Sequence, residues 1–153
     1  MRHFTMILVA AVAALVLAAP ASAHSPHFKN YRDPAFVDQG TTLNASGALA
    51  GLGFGDLTVV LTATGTASVE CTNHGGNVAP GQDTSVTTTG TVSGIEVKNG
   101  NASFSVTTAE PVVSSDLCPN PLWSARAVDV AFSSATLDFY QGGVLVLTFH
   151  ADF

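Results

Sequence analysis

The chain has 153 residues with 5 basic and 11 acidic side chains, giving a formal net charge of −6. No basic patch exists to neutralise phosphates, which argues against nucleic acid and against anionic membrane surfaces as partners. The acids are scattered along the chain, where their charge favours solubility.

The chain opens with MRHFTMILVAAVAALVLAAPASA. Arg2 provides a positive start, Met6 to Ala19 is apolar, and Ala21-Ser22-Ala23 is an A-x-A cleavage pattern. Residues 1–23 therefore read as a secretory signal peptide cut after Ala23. The alternative, a membrane anchor, needs about 20 apolar residues, more than this run supplies. Residues 24–153 remain as a single secreted domain, with no second hydrophobic span. Four of the 5 basic residues and all 11 acidic ones lie in this part, a net charge of −7.

The mature part is rich in Thr, Val, Ser, Ala and Gly, a strand-favouring composition. Its apolar residues alternate with polar ones, and no stripe of helical period is sustained. Ala35–Asp38 and Leu43–Leu49 are early strands. GLGFG (Gly51–Gly55) is a turn, because a strand follows it where a dinucleotide loop requires a helix. In LTVVLTATGTASVEC, Leu57, Val59, Leu61, Ala63, Ala67, Val69 and Cys71 share one parity. Gly65 falls on that parity without a side chain. It marks a bend or bulge that lets one strand serve two parts of the structure.

Thr84–Val92 reads as a Thr-rich edge or half-exposed strand. Ile95–Lys98 and Ala102–Thr108 flank Asn99-Gly100, a strong hairpin signal. Glu110–Trp123 carries Pro111, Pro119 and Pro121, which disrupt regular ladder bonding. Arg126–Phe132 and Thr136–Tyr140 are further strands, and Gln141-Gly142-Gly143 joins the latter to Val144–Phe149 in a second hairpin. This pattern predicts an all-β fold, an antiparallel β-sandwich of immunoglobulin-like or Greek-key type, with a small β-barrel as the alternative.

The two cysteines, in an exported chain, predict a Cys71–Cys118 disulfide. It would staple the proline-rich loop and the turn CTNHGGNVAPGQ to the sheet. Asn73, His74, Asn77, Asn120 and Trp123 gather around that staple as a candidate loop site for an unidentified extracellular ligand. Packing of Trp123 on the disulfide competes with a binding role. The threonines Thr62, Thr64, Thr66 and Thr87–Thr89 raise the possibility of an ordered hydroxyl array for sugar or ice, against the simpler reading of exposed strand faces.

The segments FVDQGTTLNASGALAGLG, LTVVLTATGTASVECTNHGGNVAPGQ, VKNGNASFSVTT, CPNPLW and DVAFSSATLDFYQGGVLVLT together resemble a group of uncharacterised small secreted bacterial proteins. The resemblance covers most of the mature chain. It implies export and an all-β fold, and it transfers no catalytic residue.

Spacing reveals no paired-carboxylate or Ser/His/Asp arrangement, so a non-enzymatic binding or structural role is favoured over hydrolysis. A copper-binding protein is the alternative. Cleavage after Ala23 would put a free α-amine on His24, and amine plus imidazole chelate Cu(II). His27, His74 or His150 would complete the site, with Asp152 on the same strand face as His150.

Overall fold

The alternating segments fold as strands. The computed structural model describes residues 24–153; the inferred signal peptide, 1–23, lies outside the described residues. In chain order the strands are β1 (His27–Phe28), β2 (Ala35–Asp38), β3 (Leu43–Ala50), β4 (Leu57–Thr72), β5 (Val78–Pro80), β6 (Thr84–Ile95), β7 (Ala102–Thr107), β8 (Ser124–Gln141) and β9 (Val144–Asp152). The described residues contain no α-helix, only a 3-10 turn at Ser115–Leu117.

All strand pairings are antiparallel and fall into two sheets. In sheet A, β3 pairs with β7 on one side and with β1 and β2 on the other. In sheet B, β4 pairs with β8 on one side and with β6 and β5 on the other, and β9 pairs with β8. The sheets do not close into a barrel, so the sandwich is the architecture.

The parity read from the sequence becomes the buried face. Leu57, Val59 and Leu61 of β4 and Leu137 and Phe139 of β8 are all 0 % exposed. They pack against Leu43, Ala45, Leu49, Phe104 and Val106 of sheet A. Each buried side chain of this size stabilises the fold by about 1.5–3 kcal/mol. Phe139 is the aromatic hinge between the sheets, edge-on to Phe104 at 5.0 Å and to Phe28 at 5.8 Å.

Three local expectations change. First, Gly65 is not itself bulged. The extra residues are on β8: Thr64 pairs with Ser134 and Gly65 with Phe132, leaving Ser133 over, and Val128 is the second such residue. Gly65 faces the first bulge, and a Cβ there would lie 2.5 Å from the Ala131 carbonyl oxygen. Second, Arg126–Phe132 and Thr136–Tyr140 are one strand, because Ser133 is accommodated as a bulge opposite Gly65. Third, Asn99-Gly100 does turn the chain, with φ of 50° and 73°, but makes no hairpin. Lys98 and Asn101 form one isolated bridge. Ile95 then stays with β4 while Ala102 joins β3 in the other sheet. Gln141–Val144 is the hairpin expected, closed by Gly142 and Gly143 at φ 57° and 79°.

Beyond Gly65, β4 leaves the main core. Ala67, Val69, Cys71 and Val130 are buried there under loops. The backbone at Gly81 runs directly over them; a Cβ at Gly81 would sit 2.7 Å from Val69 Cγ1 and 3.0 Å from the Cys71 sulfur. Gln82 N–H donates to the Leu117 carbonyl at 2.9 Å. Cys71 and Cys118 form the predicted disulfide, with Cα atoms 5.7 Å apart. One strand thus serves both the main core and a second, stapled region.

Candidate functional site

The turn after Cys71 is held by its own asparagine. Asn73 Oδ1 accepts hydrogen bonds from the Gly75 and Asn77 N–H groups, both at 2.9 Å. Asn73 N–H donates to the Asn77 carbonyl, and Gly76 N–H to the Asn73 carbonyl, both at 3.0 Å. Such side-chain-to-backbone bonds are how asparagine builds turns. His74 and Asn77 are exposed on the turn. Asn120 has the same task in the proline-rich loop: its Oδ1 accepts from Leu122 N–H at 2.9 Å, and its carbonyl from Trp123 N–H at 3.0 Å. Trp123 is half-buried. The two asparagines at the heart of the predicted loop site therefore spend their side-chain oxygens on shaping the loops.

The histidines lie on separate elements. His24 sits beside the Gly51–Gly55 turn and lines a shallow cavity of about 380 Å³ with Leu52, Phe54, Val97 and Asn99. Gln141 clamps that turn, accepting from Gly53 N–H at 2.8 Å and donating to the Gly53 and Gly55 carbonyls at 3.1 Å each. His27 Nδ1 is 2.8 Å from the Ser25 carbonyl oxygen. His150 lies on the outer side of β9, its Nδ1 3.0 Å from the Thr136 hydroxyl. His150 lies six positions along β9 from Val144, the partner of Gln141, or about 20 Å of strand. His150 and Asp152 share one face of β9, as their spacing predicts, and both are exposed. Among the described residues, no group of three or more His, Cys, Asp and Glu side chains gathers where it could hold a metal ion.

What does gather is the outer face of sheet B. Paired strands set residues in rows across it. Thr91, Val60, Asp138 and Thr148 form one row; Thr89, Thr62, Thr136 and His150 the next; Thr87, Thr64, Ser134 and Asp152 a third. Tyr140 adjoins Thr58 at one end. Thr87, Thr89, Thr91 and Thr148 are exposed. Cross-strand bonds fix part of the array: Thr64 to Ser134 at 2.7 Å, and the Thr148 hydroxyl to Asp138 at 2.6 Å. At the far end Arg126 gives two hydrogen bonds, at 2.8 and 3.1 Å, to one oxygen of Glu70, so the basic group on this face is paired. Of these residues the sequence marked Thr62, Thr64, Thr87 and Thr89, and His150 and Asp152 for another purpose. Tyr140, with Trp123 and Tyr31, is one of too few aromatics to mark a sugar platform from sequence, and Asp138 carries no mark there; the place of both depends on register.

The chain matches no known protein-family description, and no curated protein sequence is similar to it.

Proposed function

We propose that residues 24–153 are a secreted, non-enzymatic β-sandwich module with a binding or structural role outside the cell. The observation that carries this reading is the Cys71–Cys118 disulfide. It ties a proline-rich loop over the buried end of β4, and such a staple persists in an oxidising compartment. The signal-like start of the chain supports the same destination. The face of sheet B supports binding over catalysis. It is broad and open, and its polar groups are spread along rows where a catalytic set would converge on one point.

The test is expression of the full 153-residue chain in an exporting bacterium. The expected result is protein outside the cytoplasm, starting at His24 and inert toward ester, peptide and glycoside substrates. Retention in the cytoplasm, or turnover of any of these substrates, would contradict the reading.

A further inference from the structure

We propose that the outer face of sheet B binds a neutral polysaccharide lying across β6, β4, β8 and β9. This rests on the reading of the domain as an extracellular binding module, and assigns that module its face and ligand class. The chemistry is that of a polyol partner. Thr62, Thr87, Thr89 and Thr91 bring hydroxyls that both donate and accept, set in rows by the strand register. Asp138 and Asp152 add carboxylate acceptors on β8 and β9, in the same rows. Tyr140 adds a ring whose apolar body and hydroxyl suit the two sides of a sugar.

Charge selects among glycans. The face carries carboxylates, and its basic group, Arg126, is already bound to Glu70. A polyanion finds nothing unpaired to neutralise it and meets acids on a protein of negative net charge. A neutral chain of hydroxyls meets both acceptors and donors there. The shape points the same way. Four strands about 4.8 Å apart, over about seven residues, offer roughly 14 by 20 Å of open surface. That suits several units of an extended chain. The hydroxyls are also preorganised. Thr62 lies on β4, which is paired on both sides, and Thr87, Thr89 and Thr91 are held in register against it by β6; β-branched threonine also has little rotamer freedom to lose.

An ordered-water lattice, the other partner for a threonine array, is a poorer match. It requires one group repeated at one spacing. Here hydroxyl, carboxylate, imidazole and phenol share the rows, and the extra residue at Ser133 breaks the spacing of β8.

Affinity electrophoresis of the exported, oxidised domain tests this, in native gels containing a neutral β-glucan, a galactomannan, an arabinoxylan or, as polyanion, polygalacturonate. Retardation is expected in at least one neutral gel and not in polygalacturonate. The double variant Thr62→Val/Thr89→Val keeps side-chain shape while removing two hydroxyls. It should weaken binding about 5–30-fold, as should Asp138→Asn, on the scale of one or two lost hydrogen bonds. Ser105→Val, on the outer side of sheet A, should bind as wild type, and thermal melts establish that each variant is folded. The proposal is overturned by lack of retardation in every neutral gel, by retardation in polygalacturonate alone, or by binding that these variants leave unchanged. It is also overturned if wild type inhibits ice recrystallisation and the Thr62→Val/Thr89→Val protein does not. Export and inertness to substrates are measured separately, so a failure here leaves the wider reading standing.

Discussion

Gly65 and Gly90 show how single residues set this fold. A Cβ at Gly90 would lie 1.9 Å from the Thr107 carbonyl oxygen, where β6 passes against β7. The obstruction is backbone in both cases, so no side-chain rotation relieves it. Gly65→Ala and Gly90→Ala should each destabilise the domain by about 1–3 kcal/mol, the usual cost of overpacking. Gly90→Ala should be the worse of the two, and urea denaturation of the oxidised protein measures both. Histidine placement yields a second expectation. The end of β9 that carries His150 is remote from His24, and His150 is already bonded to Thr136. If the processed amine of His24 chelates Cu(II), His150→Ala leaves the affinity unchanged, while one extra residue before His24 lowers it sharply. Calorimetric titration separates these cases; a loss of affinity in His150→Ala would mean that β9 contributes a ligand.

At the level of elements, the disulfide decides whether the second, stapled region stays closed. Cys71 and Cys118 are 47 positions apart, and closing a loop of that length in the unfolded chain is worth about 4 kcal/mol. Cys71→Ala/Cys118→Ala should therefore lower the melting temperature by about 10 °C or more. Limited proteolysis should then cut first within Glu110–Trp123, since the remaining backbone tie to Gln82 is a single hydrogen bond. Equal melting temperatures with and without the bridge would show that the loop is held by packing alone. The same elements show what a sequence makes legible. The buried parity of β4 was plain because alternation is a local property with period two. β2 was legible in full because turn residues bound it. The arms around Asn99-Gly100 were misplaced because a turn signal fixes the reversal of the chain and not the partner of each arm. β8 was split in two because its period-two alternation is interrupted at Ser133, whereas β4, with Gly65 opposite, lets the strand bulge there and continue. Asp138 was invisible as a site residue, and Tyr140 legible only as one of too few aromatics, because only pairing to β4 and β9 brings them beside the threonines.

For the whole molecule, the proposed export goes with an oxidised staple and two open antiparallel sheets, one with a broad polar outer face. The sheets alone predict a far-ultraviolet circular dichroism spectrum dominated by strand; a helix content above about a fifth would contradict the fold, given that roughly a third is usual for soluble proteins. The central claim is that this is a disulfide-stapled extracellular domain, and intact-mass spectrometry of exported protein, alkylated under denaturing conditions before and after reduction, tests it most directly. The account predicts a chain beginning at His24 that takes up no alkyl group before reduction and two after it. Two alkyl groups taken up without reduction would show free thiols at Cys71 and Cys118 and contradict it.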